Sequence, residues 1–157
     1  MNTLAIARGL HLLSLGLFTG ALFGAWFGVS PTLKTLPVEQ YIPLQQSLIR
    51  SFDPTMPILA SLALLSGIAI LVSLRDRVQS APFIFSALSL GFFVITLGLT
   101  FAVNVPINIA VMDWSVANPP PDWMAMRDRW EQANTFRTFA AILAFIGQIL
   151  ALDLRKV

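Results

Sequence analysis

Residues 83–103 read F-I-F-S-A-L-S-L-G-F-F-V-I-T-L-G-L-T-F-A-V, 21 positions without one charged side chain. As a helix this run is roughly 31 Å long, enough to cross the hydrocarbon core of a bilayer. Similar apolar runs lie at about 10–29, 56–74 and 135–154. Only 11% of the chain is charged, against about 25% in soluble domains. The pattern predicts an all-α membrane protein. A single domain, 1–157, holds four transmembrane helices in an antiparallel bundle. A long polar 3–4 connection continues into helix 4.

A net charge of +2 is too weak to suggest a nucleic-acid partner. Without cysteine there is no disulfide, thiolate nucleophile or iron–sulfur ligand. One histidine cannot build a multi-histidine metal site within one chain. Arg8 before an apolar run resembles a signal peptide, but the run continues to Val29 and no clear A-x-A site follows a short core. An uncleaved first span is expected. Lys and Arg divide equally between the two sides, and the side holding both termini packs its five into shorter segments. The expected location is a bacterial inner membrane, with both termini cytoplasmic.

In the first span Gly16, Gly20, Gly24 and Gly28 form a small-residue stripe suited to close helix packing. His11 reads as an interfacial or hydrogen-bonded side chain rather than a haem ligand. Ser30-Pro31 is expected to end this helix. Residues 31–54 then form a polar connection with a candidate amphipathic helix, in which Gln45 and Gln46 face either a pocket or, preferably, water. Pro106 should kink any continuation of the third span. Asp122 suits the start of a helix that runs into the fourth span.

The stretch Asn104–Thr138 holds the candidate chemistry. Asn104 and Asn108 are four apart, on one helical face. Trp123, Arg127, Trp130, Asn134 and Arg137 follow spacings of 4, 3, 4 and 3, another face that continues to Ala141, Ala144 and Gln148. Span three leaves the membrane where span four enters, which puts the two sets at matched depth. Asp53, Gln45 and Gln46 can reach the same mouth. An arginine at a span costs about 2.5–3.5 kcal/mol at the centre and less near an interface. Arg137 can therefore snorkel beside a tryptophan belt, or line a polar pocket. The pocket reading is preferred, because four amide and guanidinium groups converge.

N-V-P-I-N, followed by D-W-x6-W-x3-N-x2-R-T, resembles the membrane family that contains the anthrone oxygenases. S-P-x-L-x-x-L-P-x-x-x-Y, L-Q-Q and the M-P before span two fit the same family. The resemblance covers most of the chain. It implies oxygenation of a polycyclic phenolic ketone to a quinone without an evident cofactor. Arg137 with Asn104 or Asn108 would hold an oxyanion, with Asn134 beside them as a catalytic-site residue. Trp130, Trp123, Arg127, Asp53 and Gln46 would bind substrate. The family often has histidine where this chain has Asn134, and asparagine is no general base. Asp53, Glu131 or a substrate-linked water would then take the proton.

The competing reading is a non-catalytic protein that binds a lipid, quinone or isoprenoid, or a small accessory subunit of a membrane complex. The expected partners are a small hydrophobic aromatic molecule or lipid/quinone, membrane lipids, and a second copy or larger membrane assembly.

Overall fold

A computed structural model describes residues 3–153 and contains five helices. Four are long and apolar enough to cross a membrane: α1 Thr3–Thr35, α3 Met56–Ser73, α4 Ala81–Met112 and α5 Trp123–Asp153. Between the first two lies the shorter α2, Val38–Phe52. The chain is thus a multi-pass membrane protein. The expected end of the last span at Leu154, and the basic pair Arg155-Lys156, lie outside the described residues.

Two prolines change the helix lengths from those expected. Pro31 does not end α1, and Pro106 does not end α4. A proline has no N–H to donate, and its ring crowds the carbonyl four residues back. Each helix accommodates this by widening one turn just before the proline. The Ser30 N–H bonds the Ala25 carbonyl, and the Val105 N–H bonds the Thr100 carbonyl, both five residues back. Such π-type turns insert an extra residue without breaking the rod and often mark functional sites. Here α1 runs on to Thr35 and α4 to Met112.

Cross-helix contacts show that neighbours run antiparallel. Thr19 donates to the Ala141 carbonyl and Trp26 to Thr135, pairing α1 with α5. His11 Nδ1 donates to the Ala63 carbonyl at 2.8 Å, while Ala7 packs with Ile70 and Leu74, pairing α1 with α3. Thr96 reaches the Arg137 carbonyl and Asn104 the Trp130 carbonyl, pairing α4 with α5. The α3–α4 connection is one short turn, Arg75–Arg77, after which Ser80 caps α4.

Leu15, Phe18, Leu22, Ala63, Phe93, Ala141 and Ala144 form the central core. Phe18 meets Phe93 edge-on at 5.4 Å. Large apolar side chains such as Leu13, Phe27, Ile58, Leu65, Ile95 and Phe136 point outward. That surface is suited to lipid, because hydrocarbon replaces water as solvent for those faces. The glycine stripe of α1 plays less of a packing role than its spacing suggests. Gly16 meets the Phe145 ring, but a Cβ at Gly20, Gly24 or Gly28 would touch nothing within 4 Å.

The end of the bundle away from the Arg75–Arg77 turn is covered by α2. Its Tyr41 and Ile42 pack with Leu33, Trp114 and Trp123, and its Ile49 packs with Ile107 and Val111. Gln46 ties α2 to the end of α4, donating to the carbonyls of Val111 (2.9 Å) and Trp114 (3.0 Å).

At Gly147 α5 lies close against α4: an added Cβ would lie 3.3 Å from the Phe85 carbonyl oxygen and 3.4 Å from Ser89. Backbone cannot swing aside as a side chain can. Gly147→Val should cost about 1–3 kcal/mol by overpacking, whereas Gly20→Ala should leave stability unchanged or slightly raised. Thermal unfolding in detergent compares the two; equal losses would contradict this packing.

Candidate functional site

Between α2 and the polar halves of the four spanning helices lies a cavity of about 210 Å³. Its walls are chiefly apolar, from Phe18, Leu22, Val29, Leu48, Phe52, Met56 and Phe101. Both π-type turns contribute: Ala25 and Val29 from one, Thr100 and Phe101 from the other. The polar groups in the wall are Ser30, Gln45, Asp53, Thr100, Asn108, Trp130 and Arg137. An apolar hollow with a few convergent polar groups is the usual form of a small-molecule site.

Arg137 is the charge in this wall that the fold holds most closely. Its Nε and one terminal nitrogen donate to Asn134 Oδ1, each at 3.1 Å, and the other terminal nitrogen donates to Thr100 Oγ1 at 3.3 Å. The guanidinium also lies 5.5 Å from the Trp130 ring centre, a cation–π distance. Among the described residues no carboxylate lies within ion-pair distance of it. The positive charge is therefore positioned by neutral groups and keeps its capacity for an anion.

The asparagines hold this arrangement in place. Asn134 is fully buried, and with its oxygen taken by Arg137 its Nδ2 points to Ser30 Oγ at 3.3 Å. Asn108 Oδ1 accepts the Trp130 indole N–H at 2.7 Å, and Asn104 Nδ2 donates to the Trp130 carbonyl at 3.1 Å. Trp130 is thus gripped by both asparagines of the N-V-P-I-N motif, and its ring in turn faces Arg137.

A family model described as anthrone oxygenase matches residues 48–147. The chain belongs to the anthrone oxygenase family. No curated protein and no solved structure matched it. The matched residues include Asp53, Asn108, Trp130 and Arg137, while Ser30 and Gln45 lie before them.

In this member of the anthrone oxygenase family the residues singled out by spacing separate into three groups. Arg137, Asn108, Trp130 and Asp53 line the cavity. Asn104 and Asn134 stand behind that wall as fully buried supports. Trp123, Arg127 and Gln46 are absent from the cavity wall and hold the covering elements. Trp123 packs on Tyr41 at 5.4 Å. Arg127 pairs with Asp128 at 2.9 Å, donates to the Lys34 carbonyl and lies over Trp123. Gln46 clamps the end of α4.

Two proton acceptors suggested by the sequence are also separated. Asp53 is exposed and lines the cavity. Glu131 is buried off the cavity, with the Ser30 hydroxyl against its carboxyl and Oε1 without a hydrogen-bond partner. Tyr41 on α2 is no candidate base. Burial, with the nearby Glu131 charge, pushes its hydroxyl well above the usual phenol range, so it stays protonated.

Ser30, Thr100 and Gln45 complete the wall. Thr100 is four residues before Asn104, so extending the Asn104–Asn108 spacing backwards finds it. Ser30 stands first in the S-P-x-L motif. Gln45, for which water is the surrounding expected from the sequence, is instead buried at the cavity.

Replacing Asn134 by leucine should remove the main hydrogen-bond acceptor of Arg137 and the donor to Ser30. The expected cost is about 1–3 kcal/mol, the penalty for leaving such groups unsatisfied. Denaturant titration in detergent measures it, and an unchanged midpoint would show that Arg137 does not depend on Asn134.

Proposed function

We propose that this protein binds a flat, hydroxylated polycyclic ketone in the cavity and oxidises it with dioxygen to the quinone. The observation that carries the reading is Arg137. It is a guanidinium on an apolar cavity wall, held by Asn134, Thr100 and Trp130, with no carboxylate in ion-pair contact among the described residues. Such a group is built to meet negative charge that develops on a ligand oxygen. The family membership supports the same activity.

The route starts at the ring methylene opposite the ketone. A base removes one proton, and the electron pair moves towards the ketone oxygen, where Arg137 stabilises the enolate. The electron-rich carbon gives its pair to dioxygen, forming a carbon–oxygen bond and a peroxide anion, which takes up a proton. Loss of the second carbon-bound proton, with cleavage of the O–O bond, releases water and leaves the new carbonyl. Carbon is oxidised and dioxygen reduced, so one methylene and one dioxygen give one ketone and one water. Asp53 takes the first proton in this route, a role supported by its position on the cavity wall, which Glu131 does not share. Trp130, with Phe101 and Phe52, offers aromatic surface to the rings.

One observation favours a second reading, in which a quinone or lipid is held without turnover. Asn134 has both ends of its amide engaged and supplies no base at the position often occupied by histidine. Orientation in the membrane is also part of this proposal. Both termini and the α3–α4 turn would face the cytoplasm of a bacterial inner membrane, because their basic residues lie in short segments.

Oxygen uptake decides between the readings. Purified protein with an anthrone should consume oxygen and form quinone above the spontaneous rate. Arg137→Ala should lower that excess about 10²–10³-fold, as removal of an oxyanion-stabilising donor does. No excess rate over several anthrones would leave the binding reading in its place.

A further inference from the structure

Gln45 and Gln46 are neighbours on α2 with opposite situations. A helix turns about 100° per residue, so adjacent side chains point in different directions. Gln46 commits its amide to the carbonyls at the end of α4. Gln45 lines the cavity, is only 2% exposed, and its Oε1 has no hydrogen-bond partner among the described residues. A buried amide oxygen left unpaired is costly, and apolar side chains of similar length fit the same volume without that cost. Leu48, Ile49 and Phe52 make the rest of what α2 itself contributes to this wall apolar.

We propose that Gln45 is a specificity-determining residue whose amide oxygen accepts a hydrogen bond from a hydroxyl of the bound aromatic molecule. Resting on the ligand class proposed above, this adds a second anchoring point. Arg137 on α5 meets the oxygen that carries or develops negative charge, and Gln45 on α2 reads a hydroxyl on another part of the ring system. Two anchors on different walls orient a flat molecule, which a single charge cannot do. A ligand without a hydroxyl leaves the oxygen unpaired, so the site favours a hydroxylated one. Gln46 acts as the positioning residue, since its clamp on α4 holds α2 and therefore Gln45 against the cavity.

The test uses the full-length protein in detergent, with a dihydroxyanthraquinone and unsubstituted anthraquinone as stable probes. Binding is followed by quenching of tryptophan fluorescence. The wild type should prefer the hydroxylated probe by about tenfold or more, the worth of one hydrogen bond to a buried acceptor. Gln45→Met, which keeps the unbranched shape without the amide, should bring the two affinities within about twofold of each other. Its ligand-free melting temperature should equal or exceed that of the wild type, because an unpaired polar group has been removed. Gln45→Leu should behave alike.

A preference that survives both substitutions overturns the proposal, as does a wild type that binds the two probes equally. A lowered melting temperature with parallel loss of both probes also overturns it, by assigning Gln45 to packing. Oxygen uptake is read separately. If the preference behaves as stated but no anthrone is oxidised, the role of Gln45 stands and the oxygenase reading falls.

Discussion

A guanidinium brought into an apolar bundle has to be compensated, and the polar end of this molecule is arranged around that demand. Arg137 stays charged across the physiological range, and its planar fork of donors asks for acceptors in a fixed geometry. A carboxylate would satisfy it, but would also consume the charge. The fold supplies the oxygen of Asn134, the hydroxyl of Thr100 and the face of Trp130 instead. Because these groups are neutral, their dipoles fix where the charge sits without cancelling it. Further contacts arise from the same need. Asn134 is itself oriented towards Ser30, and Trp130 is held by Asn104 and Asn108.

The two prolines contribute to this geometry through the backbone. Pro31 and Pro106 each force a widened turn directly before them, and those turns border the cavity. In a regular α-helix Thr100 would present its side chain at a different angle to Asn104. One extra residue in the turn re-aims the side chains beyond it. In this way a missing backbone donor becomes a local rotation of the cavity wall. The cavity is then covered by α2, a helix tied down by Gln46 and by the packing of Tyr41 on Trp123. Sequence position alone makes Gln46 and Trp123 look like ligand contacts; in the structure they hold the cover in place.

The other half of the bundle has a different character. His11, Ser14, Ser66, Ser86, Ser89 and Gln148 are buried there, and His11 is committed to the Ala63 carbonyl. Small polar side chains let helices approach closely while offering hydrogen bonds inside the membrane. The association of α4 with α5 uses Gly147 against Ser89 in this way.

Long uncharged runs determined the helical membrane class and the existence of four spans, because only helices of that length bury their own backbone hydrogen bonds in lipid. Spacing alone also placed Trp130, Asn134 and Arg137 on one face and Asn104 with Asn108 on another, since the helical repeat is a property of the backbone. What the sequence could not decide was which members of a face reach the cavity and which support it from behind. That depends on how two helices rotate against each other, and here the π-type turns alter the rotation. The reversal at Gln45 has the same origin. Read along α2, two adjacent glutamines are equivalent polar residues. Only the docking of α2 onto the bundle turns one to the α4 carbonyls and leaves the other buried at the cavity without a partner for its amide oxygen.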